Sequence, residues 1–357
     1  MDSLSLVLIS LVVLLVSLWL GTRKRNQRTL PGPAGLPFVG FLPFMTRKPY
    51  VKLTELSKKY GPIYRIRLGG TSVVIITDYK LTKEAFASDA FIGRPPDLPF
   101  ELSETTKKTG AFVDLAWKDQ RRFSLSMLKG LGFGKTKTEE HIKVQDLCKF
   151  RDVLIDLARG FFSAGSETVR ISLDWILLIC AAYPQVQKKV HSEIVEVVGE
   201  NRFPNRSDHV NMPYTEAVIR EQNRWRSVIP INLMRYTLED TELNGYYIPK
   251  HSRVLSITWA VHHNKELWGP DADEFRPERF LSADGKQVLK PEYYIPFSIG
   301  KRQCPGEAFA KMEVFNYVVA ILQRFEITLP AGKTADFDGQ LGIGLQPKRQ
   351  DILFKRR

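Results

Sequence analysis

The 357-residue sequence predicts a helix-rich α+β body, mainly α with small sheets, behind one N-terminal membrane-spanning helix. Three observations predict it. An uncharged apolar run, Leu4 to Leu20, opens the chain and is followed at once by a basic cluster. Long stretches with helical apolar spacing fill the middle and the C-terminal third. The strand-like stretches are short and gather around turns, without the βαβ alternation of a parallel sheet.

The elements follow in order. At about 1.5 Å per residue, the run from Leu4 to Leu20 just crosses a hydrocarbon core of about 30 Å. Arg23, Lys24, Arg25 and Arg28 lie after the run, the reverse of a cleaved signal peptide, and hold the following chain on the cytoplasmic side. Residues 1–22 read as an anchor, 23–40 as a basic and Pro/Gly-rich hinge ("TLPGPAGLPFVG"), and 41–357 as the body. "YVKLTELSKKYG" reads as a helix stopped by Gly61, and "IYRIRLGGTSVVIITD" as two strands about Gly69 and Gly70. Asp78 can cap the helix that follows. A basic amphipathic helix is expected over Asp114 to Leu128, and a long apolar one over Asp152 to Ala182. Pro184 and Pro213 open two more, the second ending near Arg226. Short strands and the irregular "PDADEFRPERF" come next. A helix from about Pro305 to Arg324 is expected to bury Phe309, Met312, Phe315, Val319 and Leu322, and short strands end the chain.

Composition narrows function only partly. Three cysteines, Cys148, Cys180 and Cys304, are too few and too scattered for a disulfide framework, which suits a reducing compartment. A formal charge of +13 admits nucleic acid, an anionic membrane or an acidic protein as partner. The membrane anchor and the absence of a recognisable module speak against nucleic acid. "KGLGFGKT" is no phosphate loop, because Lys129 stands where G-x-x-x-x-G-K-[ST] needs glycine.

Chemistry concentrates in "PFSIGKRQCPGEAFAK", residues 296–311. Lys301, Arg302 and a following helix N-terminus should lower the pKa of Cys304 and favour the thiolate, the form that binds metal. Gly300 permits a tight turn, and Gly306 lets a flat partner approach the backbone. No second Cys or His lies at zinc-ligand spacing. A single axial thiolate suffices for an iron that takes its in-plane ligands from a porphyrin.

Phe297, Gly300, Arg302, Cys304 and Gly306 reproduce F-x-x-G-x-R-x-C-x-G, and here the sequence resembles the cytochrome P450 superfamily in its haem-binding signature. Other motifs follow in that family's order. "WKDQR" supplies Trp117 and Arg121, and "AGSET", residues 164–168, is similar to the kink of the family's central helix. "EQNR" supplies Glu221 and Arg224, and "PERF" supplies Arg279. "LPGPAGLP" looks like the hinge of microsomal, family-2-like members. Taken singly, Glu221 and Arg224 would be a solvated i,i+3 pair, Trp117 an ordinary core aromatic, and Arg235 and Arg302 surface charges.

The resemblance implies haem b with Cys304 as axial ligand to iron. It also implies propionate contacts from Trp117, Arg121, Arg235 and Arg302, and a structural role for Glu221, Arg224 and Arg279. The implied reaction is insertion of one oxygen atom of O2 into a lipophilic small molecule. Thr168 would donate a hydrogen bond to the oxygen, with Glu167 as relay, although a helical Thr ordinarily bonds back to its own carbonyl. Gly165 offers a place for a local bulge in the helix. Phe161, Phe162 and Ala164, with Val228, Ile229, Leu233 and Ile343, are the implied substrate contacts. Electrons would come from NADPH-cytochrome P450 reductase, with cytochrome b5 as an optional second donor, docking near Lys118, Arg122, Lys129, Lys135 and Lys301. The implied location is the endoplasmic reticulum membrane, with the body facing the cytoplasm.

The chain departs from the family between about residues 138 and 160, where an interval that normally holds several helices is nearly missing. Two readings therefore stand side by side: a microsomal monooxygenase, or a truncated, catalytically impaired relative with a regulatory role or none.

Overall fold

A computed structural model describes residues 28–96, 121–122 and 151–357. The expected anchor, Trp117, Lys118, Lys129, Lys135, Cys148 and nearly all of the helix expected over Asp114 to Leu128 lie outside the described residues. Among the described residues no single helix is long and apolar enough to cross a membrane.

The first elements follow the sequence closely. Helix α1 (Pro49–Tyr60) begins on a proline and ends at Gly61, whose φ of 91° suits a residue without a side chain. Strands β1 (Ile63–Leu68) and β2 (Thr71–Ile76) form an antiparallel hairpin about Gly69 and Gly70. In helix α2 (Tyr79–Ala87), Asp78 caps the first turn by accepting from the Leu81 amide at 2.9 Å.

Helix α3 (Arg151–Ala182) runs through the centre of the body, and Tyr183 breaks it before α4 (Pro184–Val197). It is continuous: no bulge forms at Gly165, contrary to expectation. The Thr168 hydroxyl closes onto the Ala164 carbonyl at 2.7 Å and supports the ladder at that turn. Helix α5 (Pro213–Trp225) follows. Strands β3 (Arg235–Tyr236), β4 (Thr241–Leu243), β5 (Tyr246–Ile248) and β6 (Arg253–Ser256) come next. Strand β6 pairs parallel to β2 and antiparallel to β3, giving the sheet order β1-β2-β6-β3. The long return from β2 to β6 brings the N-terminal hairpin and the segment after α5 into one sheet.

Short helices α6 (Thr258–His262) and α7 (Lys265–Trp268) lead to the cysteine turn, and α8 (Glu307–Arg324) leaves it. The buried stripe of α8 is Val314, Phe315, Val318, Val319 and Leu322. Phe309 and Met312, expected in that stripe, lie at its open end. The turn of helix nearest the cysteine thus packs more loosely than the turns facing α3 and α4. Strands β7 (Phe325–Thr328), β8 (Gly339–Leu341), β9 (Leu345–Pro347) and β10 (Leu353–Arg356) complete the chain as two small antiparallel pairs.

Helix α3 carries two apolar faces. Ile171, Trp175 and Leu178 belong to a core built with the first sheet, and the Trp175 indole donates to the Leu345 carbonyl at 2.7 Å. The opposite face, with Phe162, Val169 and Leu173, joins Phe309, Tyr317 and Ile321 of α8 around an open cavity of about 570 Å³.

Candidate active site

The cysteine turn is tight and strained. Ser298 has a φ of 62°, a left-handed conformation that costs a non-glycine residue, and Gly300 has a φ of 76°. A side chain at Gly300 is excluded on a second count, because its Cβ would fall 2.1 Å from the Phe86 carbonyl oxygen of α2. The Cys304 amide donates to the Phe297 carbonyl at 3.0 Å, closing the loop that presents the sulfur. At Gly306 the nearest atom to an added Cβ is the Cys304 sulfur at 3.9 Å, so internal packing does not demand glycine there. Close approach of a flat ligand would demand it.

The thiol does not behave as the sequence suggested. Burial pushes the Cys304 pKa above its ordinary value and Glu307 adds to the rise, against the opposing Gly306 amide and Arg121. The sulfur is open to solvent on one side, yet enough protein rings it to weaken its hydration. Lys301, expected to help lower the value, is engaged by Asp89 at 2.8 Å. Arg302 turns its Nε to the Ile92 carbonyl at 2.9 Å.

Four arginines from separate parts of the chain meet beside this turn: Arg94, Arg121, Arg235 and Arg302. Burial holds all four below the usual guanidinium range. Repulsion from Arg94, Arg302 and Arg121 pushes Arg235 down further. Arg94 donates to the Leu233 and Met234 carbonyls at 2.8 and 2.5 Å. Arg235 is 2% exposed, lies over the Phe86 ring at 4.2 Å, and has a buried Nε without a hydrogen-bond partner. The described residues offer neither Arg94 nor Arg235 a carboxylate. Sequence reasoning missed Arg94, whose only signal was its place beyond the β1–β2 hairpin among apolar residues and prolines. A planar dianion beside a single thiolate fits the arginine cluster, Gly306 and Cys304 together, which is the chemistry of an iron porphyrin with two carboxylates.

Elsewhere the described residues divide. Glu167 is tied to Arg170 by two hydrogen bonds of 2.7 and 3.0 Å, which hold its carboxyl below the usual range. It stands beside Thr168 in sequence but is turned to a cation. Val228 belongs to the sheet-side core, Ile229 packs against that core, and the Val228 carbonyl accepts from the Leu345 amide at 2.8 Å. A Cβ at Gly344 would meet both Ile171 and Val228, so the β8–β9 turn bearing Ile343 seats between α3 and the segment after α5. Leu233 is 55% and Ile343 75% exposed. Phe162 stands about 160° round the helix from Ala164, on the face toward α8. Phe161 also borders that cavity.

Away from the cysteine, the pair that taken singly would be solvated is buried. Glu221 and Arg224 are wholly buried and bond each other at 2.6 and 2.8 Å. Arg279, 4% exposed, donates to the same carboxylate at 2.9 Å, as does the Arg276 amide. Arg224 also donates to the carbonyls of His262, Ala272 and Glu274. Directly behind them the buried, neutral His262 ring contacts Ser227 Oγ and accepts from the Ile295 amide.

Comparison with known proteins matches this architecture. The family model for cytochrome P450 aligns with residues 30–151 and 151–354. Cytochrome P450 18a1 of Drosophila melanogaster is 28% identical over 495 aligned positions, covering 98% of this chain and 91% of the relative. Human cytochrome P450 2U1 is 28% identical over 513 positions, covering 99% and 94% respectively. Bovine cytochrome P450 2U1 reaches 40% identity over 206 residues. Alignments this much longer than 357 residues oppose well over a hundred positions of the relatives to gaps. The two matched stretches meet at Arg151, the first residue of α3, within the interval where the sequence appeared shortened. The chain belongs to the cytochrome P450 family of haem-binding monooxygenases and is of the microsomal type, with an internal shortening before its central helix.

Proposed function

We propose that the protein is a membrane-anchored haem-thiolate monooxygenase acting on a lipophilic small molecule. One substrate, one O2, one NADPH and one proton would give the hydroxylated product, water and NADP+. The observation that carries this reading is the cluster of four arginines, two of them half-buried and two, Arg94 and Arg235, buried without a carboxylate among the described residues, beside the single cysteine of the turn. Haem b, bound through Cys304, would supply activation of dioxygen and transfer of one oxygen atom. Arg121, Arg235 and Arg302, with Trp117, would hold its carboxylates, and Phe297, Gly300 and Gly306 would shape the turn beneath it.

Thr168 would release the Ala164 carbonyl and hold a proton toward the oxygen co-substrate, and Glu167 would leave Arg170 to resupply it. Phe161, Ala164, Val228, Ile229, Leu233 and Ile343 would orient the apolar substrate and exclude water; Phe162 would have to turn from the α8 side to join them. Residues 1–22 would anchor the chain in the endoplasmic reticulum membrane, 23–40 would form the hinge, and 41–357 the cytoplasmic body. Arg122 and Lys301, with Lys118, Lys129 and Lys135, would dock the acidic face of NADPH-cytochrome P450 reductase or of cytochrome b5.

The test is a carbon monoxide difference spectrum of the reduced full chain in membranes, beside Cys304→Ser. The expected result is the red-shifted band of thiolate-ligated haem in the parent and its loss in the variant. A well-expressed parent without haem would favour the impaired relative instead.

A further inference from the structure

The cysteine turn is bridged by a side-chain circuit that the function above does not use. Gln303, the residue before the ligand, donates to Glu307 Oε2 at 2.6 Å. Lys311, one helical turn further on, donates to Glu307 Oε1 at 2.5 Å. The Lys311 ammonium lies 5.6 Å from the centre of the Phe297 ring, and the Phe297 carbonyl takes the Cys304 amide at 3.0 Å. Phe297, Lys311, Glu307 and Gln303 therefore close a loop of contacts around the turn.

The turn requires such a brace. Two of its residues, Ser298 and Gly300, are left-handed, and Ser298 pays for that conformation without the freedom of glycine. Gly306 caps α8 without a side chain, so the first turn of that helix has no capping hydroxyl or carboxylate of its own. The Glu307 side chain is 22% exposed and that of Lys311 34%, so water competes only in part for their bonds. Burial acts to raise the Glu307 carboxyl, but Lys311 and Gln303 outweigh it and keep the group charged.

We infer that Glu307 is a positioning residue for Cys304: its carboxylate, held by Lys311, grips the Gln303 side chain and fixes the strained turn that presents the sulfur. The inference rests on the haem-thiolate reading of Cys304, and its first test is independent of haem. Hydrogen exchange is followed by mass spectrometry in the full chain over residues 298–306. In Glu307→Ala these amides exchange about tenfold faster, the scale of losing one hydrogen bond to a charged group, while the second half of α8 is unchanged. Glu307→Gln, which keeps an oxygen for Gln303, restores most of the protection. Equal exchange in parent and Glu307→Ala, or equal loss in the Ala and Gln variants, would overturn the inference.

The second test uses the haem-loaded chain. The reduced carbon monoxide complex of Glu307→Ala passes about tenfold faster from the thiolate-type band to that of a neutral thiol ligand, and Glu307→Gln passes more slowly than Ala. A purely structural role would lower total haem and melting temperature without changing the ratio of the two bands, and that result would also overturn the inference. A parent lacking the thiolate band would sink the haem reading, while the exchange comparison would still decide the brace.

Discussion

Among the described residues, two arginine clusters with buried members are solved in opposite ways. Around Glu221 a single carboxylate takes both Arg224 and Arg279, and the remaining guanidinium hydrogens find carbonyl oxygens of the segment from His262 to Glu274. Around Cys304, Arg94 and Arg235 have, among the described residues, carbonyls, an aromatic face and one another. A buried charge network that closes on itself belongs to the fold, because burial without pairing would cost several kcal/mol per ion. A buried cluster of one sign that does not close marks where a ligand of the opposite sign is expected.

The largest expected effect breaks the closed cluster. Glu221→Ala leaves the buried Arg224 guanidinium without a carboxylate and takes one from Arg279 and from a backbone amide, and should cost about 3–5 kcal/mol of unfolding free energy, read by urea titration of the full chain in detergent. A loss below about 1 kcal/mol would mean that water reaches the pair and that its closure explains nothing. The open cluster should answer with the opposite sign. Arg235→Met removes a charge crowded by three others and should leave the haem-free chain unchanged or about 1 kcal/mol more stable. The same variant should hold haem about tenfold less tightly, the worth of one hydrogen bond to a charged group. Destabilisation of the haem-free chain by Arg235→Met would erase the distinction between the clusters.

The sequence carried these two regions unequally. The cysteine turn was legible because its demands are local: a left-handed glycine, an open glycine and a cysteine at fixed spacing leave a linear trace. The helices beginning at Pro49, Pro184 and Pro213 were legible for the same reason. Burial was not. Nothing within E-x-x-R distinguishes a solvated pair from one at 0% exposure, since burial is decided by the packing of α6, α7 and the segment behind them. Arg94 escaped notice because its partners are carbonyls roughly 140 residues away. The bulge expected at Gly165 failed because α3 keeps its ladder there and Thr168 reinforces it. The second apolar face of α3 became visible only when α8 was set against it, beside the point where the relatives carry additional chain.

The smallest expected effect sharpens the comparison most, because it holds distance fixed. Arg276 meets Asp271 at 2.6 Å, the same separation as Arg224 from Glu221. Contact geometry alone would rank the two pairs as equals. Their surroundings differ: the Arg276 and Asp271 side chains are 50% and 25% exposed, the other pair not at all. Water around Arg276 screens the attraction and hydrates the guanidinium in the unfolded and folded states alike. Arg276→Ala also preserves the backbone amide that serves Glu221, and leaves Asp271 its contact with Arg279 at 3.3 Å. The substitution should therefore cost no more than about 0.5 kcal/mol in the same urea titration, roughly a sixth to a tenth of the loss from Glu221→Ala. A cost approaching that of Glu221→Ala would show that proximity rather than burial sets the strength of these arginine contacts, and the contrast between the closed and open clusters would lose its physical basis.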